Sequence, residues 1–520
     1  MKKLYINGKI YVDKEHFEES MLISDGIIVA VGTNEEVMKK GADEVVDLFG
    51  KTMVPGLNDS HLHLTMMGDY MNICNLTSAK SIDEVVRLGK KFLAEHPDTK
   101  VLIGKGWNQN SFQDGERRFI NRHDLDRIST DIPIVFDRVC IHVSVGNTKA
   151  LEILNIDETT KIEGGEIQLG ADGKPNGIFN EGAVKLIQSV IPSKSAEDIS
   201  RDFIRAMDYA VSVGLTSVQS CDVMSKDFEK VFNAIDNIVK ENKLKLRYSH
   251  QFNFQDIEDF KAYLRSEHLY GVYDEKRYSK GALKLFKDGS LGARTALMST
   301  GYNDAPDETG VDALDDDKLY ELCKLAHENN IRVLIHAIGD KAIQSVIDVY
   351  EKLIDDKENT LRHGIVHNQI TTKAQLEKIA ELGLTVMYQP IFLLSDIAII
   401  NDRVGDELEK TSYAFNSLYQ MGAPVSLSTD APVEDCNPFE NIYVAVNRMR
   451  FDFTPKGGYF KEECMSVSDA IDAYTIKSAY LEGKEDFKGR LKPGFVADMV
   501  ILDRDIFTID KTEIKDIKVV

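Results

Sequence analysis

The chain has 520 residues, 43% of them hydrophobic and 28% charged, a balance typical of globular proteins large enough for one big domain with smaller attachments. Its formal net charge of −22 at pH 7 argues against nucleic acid and anionic membranes as partners. The sequence shows neither a signal peptide nor an apolar run long enough to span a bilayer, and its six cysteines form no Cys-x-x-Cys pair. We therefore expect a cytoplasmic protein with free thiols.

The first elements in chain order are short strands and turns. An Asn7-Gly8 pair lies between two β-rich runs, which predicts a hairpin. Residues 492–503, near the C-terminus, have the same strand-and-turn texture. We expect both termini to meet in one small β-sandwich domain, built from residues 1–56 and 485–520.

Eight apolar runs between the termini predict strands that alternate with helical segments. They cover residues 52–57, 214–220, 244–252, 281–287, 331–337, 363–368, 384–390 and 424–429. Repeated βα units of this kind predict an α/β fold, a parallel (β/α)₈ TIM barrel, which we assign to residues 57–484. The interval between the first two runs is too long for one crossover, so residues from about 66 to 200 are predicted to form an inserted subdomain.

Polar side chains recur at the C-terminal ends of the predicted strands, where the active sites of such barrels form. His61 and His63 follow the first strand, and residues two apart on an extended segment face the same side. Strands five and six end at His336 and His367, and strand eight ends at Asp430. Four histidines and one aspartate are a ligand set for zinc or a similar divalent metal.

Several of these residues have a purely structural alternative. His336 could be a hydrogen-bonded core histidine, and Asp430 could cap the helix that follows it. His363 lies four residues before His367, and only one of the two need be a ligand.

Lys284, in the fourth predicted strand, is a special case. An ammonium group beside a divalent metal is electrostatically unfavourable, so an unmodified lysine is not expected to be a ligand. The side chain becomes suitable if CO₂ converts its amine to an anionic carbamate. Lys287 is the competing candidate, and an ion-paired or surface lysine is the structural alternative.

Six segments carry a resemblance to a known family: PGLNDSHLHL, LKLFKDGSLGARTA, IHAIGD, RHGIVHNQ, SLSTDAPV and KGRLKPGFVADMVILD. With them the chain resembles the amidohydrolase superfamily, and within it the amidohydrolase-3 group, which includes N-substituted formamide deformylase-like proteins. The resemblance implies a barrel flanked by a β-sandwich and a binuclear, sometimes mononuclear, metal centre, with one or two Zn²⁺ or another divalent metal. It implies two ligand sets and a bridge: His61, His63 and Asp430; His336 and His367; and carboxylated Lys284.

These observations predict a hydrolase that cleaves an amide-type C–N bond of a small molecule with a metal-activated hydroxide. Asp430 would take the proton of the attacking water and pass it to the leaving nitrogen. Arg294 could bind a substrate carboxylate or carbonyl, with a structural ion pair as the alternative. The insertion offers Trp107, His142 and Glu181 as substrate contacts, although packing is the default role for Trp107. A homodimer is possible.

Three other functions remain open. A zinc deaminase would use the same ligands, but deaminases of this superfamily carry a glutamate shortly after the strand-five histidine, and here His336 is followed by Ala337-Ile338-Gly339-Asp340. Hydrolysis of an ester or a carbamate would use the same machinery. A metal-bound regulatory protein without turnover is less favoured, because a structural metal site has no use for a proton shuttle such as Asp430.

Overall fold

The computed structural model describes residues 1–113, 115–140, 142–224, 228–266, 274–354 and 358–520. The chain forms two compact units, Met1–Met67 with Ile199–Val520, and Gly68–Asp198. Among the described residues, no helix is both long and apolar enough to cross a membrane.

The first unit contains an eight-stranded parallel sheet in which strands adjacent in the sheet follow one another in the chain. Its strands are Leu57–Leu62, Leu215–Met224, Arg247–Asn253, Tyr278–Phe286, Arg332–Ala337, Gly364–His367, Thr385–Tyr388 and Val425–Leu427. The two edge strands meet, because Ser426 Oγ lies 2.8 Å from Ser60 Oγ and the backbone N–H of Asp430 donates to the carbonyl of His61. The TIM-barrel prediction is therefore confirmed.

The predicted position of the first barrel strand was wrong. Thr52–Pro55 pairs with Met499–Leu502 in a different sheet, and the barrel strand is Leu57–Leu62, which contains His61. Hydropathy misplaced the strand because polar residues lie inside the barrel, where they form hydrogen bonds. Asp59, for example, is fully buried and accepts hydrogen bonds from the backbone N–H and the hydroxyl of Thr429.

The N-terminal segment forms two four-stranded sheets, and the C-terminal segment contributes one strand to the second of them. In sheet order, the first contains Ile27–Gly32, Ser20–Ser24, Lys2–Ile6 and Glu44–Asp47, and the second contains Met499–Leu502, Thr52–Pro55, Lys9–Asp13 and His16–Glu18. Their shared core joins Tyr5 and Met21 of the first sheet to Ile10 and Met53 of the second, with Phe495 from the C-terminal segment. The predicted sandwich of both termini is confirmed.

The hairpin predicted at Asn7-Gly8 was wrong. The strands on either side of this turn belong to different sheets, so the chain crosses from one sheet to the other at Asn7, whose φ is +55°. A local turn signal says that the chain reverses but not which strand it will pair with.

Helices connect the barrel strands and bury one apolar face each. Phe228–Lys240, for example, buries Phe232 and Ile235 and exposes Glu229 in its first turn. The other α-helices of this unit are Asn34–Met38, Ile257–Leu264, Asp316–Glu328, Asp340–Ile354, Lys373–Glu381, Leu393–Asp396, Ile400–Glu409, Phe415–Gln420, Pro438–Asn447, Val467–Tyr474 and Ile476–Leu481. The 3₁₀ helices are Pro390–Phe392, Lys461–Glu463 and Lys511–Asp516.

The second unit has its own six-stranded sheet and core. In sheet order its strands are Gly165–Leu169, Pro175–Glu181, Val143–Gly146, Ile134–Arg138, Leu102–Trp107 and Ile73–Asn75. Its helices are Ile82–Glu95, Arg122–Asp126, Thr148–Ile153 and Val184–Gln188, with the 3₁₀ turn Gln109–Ser111. The chain passes from one unit to the other within the helices Leu64–Tyr70 and Ala196–Ser212.

Candidate metal centre

Three predicted ligands converge at the C-terminal end of the barrel strands. Asp430 Oδ1 lies 3.3 Å from His61 Nε2 and 3.2 Å from His63 Nε2. Potential ligand atoms of these three side chains lie within 4.8 Å of one another. His367 joins them, with its Nε2 4.0 Å from Asp430 Oδ2.

Neighbouring acceptors orient the imidazole of His61. Its Nδ1 lies 2.5 Å from Oε1 of Gln251, whose amide nitrogen donates to the carbonyl of Ser60, so the orientation of the glutamine amide is fixed by its own hydrogen bond. Nδ1 of His61 therefore carries the proton. Nε2 then presents a lone pair to the centre, as in histidines that bind metals.

His63 and His367 are held in the same way. Nδ1 of His63 lies 2.7 Å from the carbonyl oxygen of Cys221, and Nδ1 of His367 lies 2.7 Å from Oε1 of Gln389. The amide nitrogen of Gln389 donates to Met387 O and to a serine hydroxyl, which again leaves only Oε1 to face the histidine. Three Nε2 atoms thus face one carboxylate.

This arrangement fits a cation. Asp430 Oδ1 is buried without a hydrogen-bond partner in the part of the chain that the structure describes, although two imidazole nitrogens lie close to it. A lone pair facing a carboxylate oxygen is repulsive unless a positive group lies between them. A proton on one nitrogen would relieve the repulsion at one contact, whereas a divalent ion could bind all of the facing nitrogen and oxygen atoms.

The pKa values follow this geometry. Burial lowers the pKa of His61 to about 4. Burial also acts to lower the pKa of His63, but the neighbouring Asp430 carboxylate and Cys221 side chain prevail and raise it well above the ordinary value. Burial acts to raise the pKa of Asp430, but the two imidazoles hold it well below its usual range. Asp430 is therefore a carboxylate at neutral pH.

Two of the converging residues have unusual backbone conformations. His367 has φ of +79° and Asp430 has φ of +57°, a region that residues other than glycine rarely adopt. Each such residue costs on the order of 1–3 kcal/mol and persists only where its surroundings hold it. Asp430 does not cap the helix that follows it, Pro438–Asn447, because the N-cap of that helix is Asn437.

His336 lies beside this group but is held through its other nitrogen. Its Nε2 is 2.9 Å from the carbonyl oxygen of Gly289, so Nε2 carries the proton and Nδ1 has the lone pair. Its ring centroid lies 4.4 Å from that of His367. The competing His363 lies elsewhere, with its Nδ1 accepting from the backbone N–H of Val333 and its Nε2 2.9 Å from His327 Nδ1.

Lys284 is fully buried and forms no ion pair with any side chain of the described residues. Its Nζ lies 3.8 Å from the centroid of the Phe286 ring, and burial lowers its pKa to about 8. Lys287, the competing candidate, has a structural role, since its ammonium group binds carboxylate oxygens of Asp312 and Asp316 at 2.7 Å each.

The predicted substrate contacts have other partners. Arg294 pairs with both carboxylate oxygens of Asp304 at 3.1 and 2.8 Å, which is the structural alternative stated above. Within the second unit, Trp107 is completely buried and donates its indole N–H to the carbonyl of Phe136. Trp107 therefore has the packing role that was stated as its default.

His142 and Glu181, also in the second unit, form an exposed pair. His142 Nδ1 lies 3.0 Å from Glu181 Oε2, and each side chain is 65% exposed. Both side chains are therefore accessible, and Glu181 has φ of +50° at the end of its strand. Their assignment to substrate binding stays a prediction.

Sequence analysis missed the residues that orient the histidines. Gln251 and Gln389 were not singled out, because a glutamine near the end of a strand has many ordinary roles. Phe392, which stacks on the His367 ring with centroids 5.9 Å apart, was not singled out either. A usable signal was the position of Gln251 and Gln389 at the ends of predicted strands, where barrel residues face the site.

Comparison with known proteins places this geometry in a family. The sequence pattern of the family described as "Amidohydrolase family" matches residues 44–520. The putative amidohydrolase YtcJ of Bacillus subtilis is 31% identical over 99% of this chain and 96% of its own length. N-substituted formamide deformylase of Arthrobacter pascens is 26% identical over 96% of this chain and 93% of its own length.

A solved structure agrees with both. The crystal structure of an uncharacterized metal-dependent hydrolase from Pyrococcus horikoshii OT3 is 30% identical, covers 98% of this chain and 99% of its own, and superposes with a TM-score of 0.79. The match extends over the barrel, the terminal sheets and the insertion. The chain therefore belongs to the amidohydrolase family and is a metal-dependent hydrolase that acts on carbon–nitrogen bonds.

Proposed function

We propose that this protein hydrolyses an amide-type bond of a small molecule with one or two divalent metal ions, in the simplest case Zn²⁺. The observation that carries the proposal is the approach of the Nε2 atoms of His61 and His63 to Oδ1 of Asp430, an oxygen without a hydrogen-bond partner among the described residues. His61, His63 and Asp430 would hold the first ion. His336, through Nδ1, and His367, through Nε2, would hold the second.

A bound ion would supply a water activated near neutral pH and a Lewis acid for the substrate carbonyl. The chain supplies the proton transfer. Asp430 is ionised at neutral pH, so it can accept the proton of the attacking water and hand it to the leaving nitrogen. Gln251 and Gln389 keep His61 and His367 in one tautomer throughout.

We also propose that Lys284 is carboxylated and bridges the two ligand sets. An amine reacts with CO₂ only when it is neutral, and burial makes the neutral form of Lys284 accessible near pH 8. The ammonium form would first lose a proton, and the neutral nitrogen would then form a bond to the carbon of CO₂ and release a second proton, which together convert a buried cation into an anion. A buried lysine without an ion-pair partner among the described residues is a suitable precursor.

The substrate class follows from the relatives. An N-substituted formamide is the substrate named for a protein that is 26% identical to this chain, and we propose small N-acyl or N-formyl amines as the first compounds to test. Esters and carbamates are the second class, because the same residues would act on them. Location in the cytoplasm and a possible homodimer stay predictions, as do the exact domain boundaries.

The test combines metal analysis with a substrate panel. Purified protein should contain between one and two equivalents of a divalent metal, and turnover of formamides and amides should stop on chelation and return when the metal is restored. His63→Gln should lower the metal content, because the variant loses one of the ligands. His327→Gln is the matched control, since His327 binds another histidine away from the centre. Equal metal content in the two variants would reject the site, and metal binding without turnover of any amide, ester or carbamate would favour a regulatory protein.

A further inference from the structure

We propose that Asp288 is a positioning residue that selects the nitrogen of His336 available to a metal, an inference that rests on the metal centre proposed above. Asp288 is buried, and its carboxylate accepts three backbone N–H groups. Oδ2 accepts from Leu297 and Gly339, each at 2.8 Å, and Oδ1 accepts from Ile338 at 3.0 Å. A carboxylate used entirely by backbone donors is a clamp between chain segments.

The donors come from two different segments. Leu297 belongs to the loop after the fourth barrel strand, whereas Ile338 and Gly339 follow the fifth strand and lead into the helix Asp340–Ile354. The segments touch, because a Cβ atom on Gly339 would lie 2.1 Å from the carbonyl oxygen of Leu297. Asp288 thus fixes the loop after strand four relative to the strand that carries His336.

Asp288 also determines the position of the next residue, Gly289. The carbonyl of Gly289 accepts the proton of His336 Nε2 at 2.9 Å, and Asp288 Oδ1 lies 3.5 Å from the same nitrogen. As long as the clamp holds Gly289 in place, His336 carries its proton on Nε2 and presents the lone pair of Nδ1. His61 and His367 have the opposite tautomer. Asp288 therefore acts on the centre through a carbonyl and does not itself need to bind metal.

Replacing Asp288 by asparagine is the sharpest change. An asparagine has one acceptor oxygen, and its NH₂ group would face a backbone N–H, so at least one of the three donors loses its partner. The loop is then free to withdraw the Gly289 carbonyl. His336 would lose the hydrogen bond that fixes its tautomer. The contacts of His61, His63 and Asp430 would stay unchanged.

The first measurement is the histidine tautomer in metal-free protein, from spectra of ¹⁵N-labelled imidazoles with His336 assigned by a His336→Gln variant. Wild-type His336 should be protonated on Nε2, and Asp288→Asn should lose this single form. The second measurement is metal affinity by competition with a chelator. Asp288→Asn should weaken one class of sites by about 10–100-fold, the usual effect of losing a residue that orients a ligand, and leave the other unchanged.

Asp472→Asn is the matched control. Asp472 is 7% exposed, and its carboxylate binds Arg490 at 2.7 and 2.8 Å and the hydroxyl of Tyr11 at 3.0 Å. Its loss should lower the thermal stability without changing the His336 spectrum or the affinity of either site.

Two results would overturn the proposal. One is a wild-type His336 protonated on Nδ1, which decides the matter even if Asp288→Asn fails to fold. The other is a folded Asp288→Asn protein with unchanged tautomer and unchanged metal affinity. Because the tautomer is read without metal, this proposal can fail in a working hydrolase. A protein that binds no metal but has His336 protonated on Nε2 would instead reject the proposed function.

Discussion

Glu482, the residue directly after the helix Ile476–Leu481, is a buried carboxylate on which the stability of the barrel should depend strongly. Its side chain is 1% exposed, and it binds Lys484 at 3.1 Å and Lys488 at a shorter distance. Asn58 of the first barrel strand donates its amide to the same carboxylate at 2.8 Å. The two lysines also bind Ser279 and Ser217, at the starts of other barrel strands. The change Glu482→Gln keeps the shape and removes the charge.

The pKa of Glu482 gives the size of the stability loss expected for Glu482→Gln. The lysines lower the pKa of Glu482 from 4.5 to about 2 against the opposing effect of burial, which corresponds to about 3 kcal/mol of stability at neutral pH. This contribution is present above pH 4.5 and is lost as the pH falls toward 2, because the pKa is lowered in the folded state. Removing one partner of a buried ion pair typically costs about 3–5 kcal/mol, in agreement with this value.

The Glu482→Gln variant should also differ from the wild type in how its stability depends on pH near neutrality. Burial lowers the pKa of Lys488 to about 8 even with Glu482 present, and without that carboxylate it should fall further. Folding of the variant would then release a proton near neutrality, so between pH 7 and 8 its stability rises with pH more steeply than that of the wild type, whose Lys488 begins to lose its proton only near pH 8. The difference between the two should shrink between pH 7 and 8, by up to about 1 kcal/mol.

The assay is urea unfolding of both proteins from pH 6.5 to 8, with Glu485→Gln as control. Glu485 is 26% exposed and pairs with Arg362, so its loss should cost below about 1 kcal/mol and show no such pH dependence. A loss below 1 kcal/mol in Glu482→Gln, or one that does not change with pH, would refute the reasoning.

Three further changes test the site. Asp430→Asn keeps the shape but removes the base, and turnover of the best substrate should fall by about 10²–10⁴-fold, with a loss under tenfold pointing to a structural role. Lys284→Ala should lower metal content and recover part of its activity with short carboxylic acids, which can replace a carbamate; metal content equal to wild type would contradict the bridge. His142→Ala should change KM or substrate preference but leave metal content alone, because the exposed pair with Glu181 is predicted to line the substrate site; unchanged kinetics across the panel would reject that prediction.

The sequence was sufficient for the parts of the fold that repeat. Buried parallel strands at regular intervals predict a barrel whatever the side chains, and histidines at strand ends mark its active face. The limits of the first barrel strand were harder to predict. The first barrel strand contains Asn58, Asp59 and Ser60, which look like a polar loop and are buried because distant segments of the fold supply hydrogen-bond partners.

The details of the centre depend on contacts between distant segments. Gln251 and His61 are 190 residues apart in the chain, and nothing local to either indicates their hydrogen bond. The same holds for Asp288 and the N–H of Gly339, 51 residues away. Residue types at strand ends could therefore be predicted from the sequence, whereas the tautomer of each histidine could not, because it is decided by a partner that only the fold brings near.

The centre is assembled by the fold in a form that is unfavourable without an ion. His367 and Asp430 have left-handed backbone conformations, and a buried carboxylate faces imidazole lone pairs. The hydrogen bonds that His61 and His367 donate to Gln251 and Gln389 hold the two rings from behind, so their orientation does not need the metal to form. We therefore expect metal-free protein to keep its barrel, as measured by far-ultraviolet circular dichroism, but to unfold more easily. At free metal about 100-fold above Kd, binding contributes about 2.7 kcal/mol, and the thermal midpoint should rise with metal concentration. Loss of the barrel spectrum on chelation would show that the ion assembles the site, and a midpoint independent of metal would show that no ion binds the folded state.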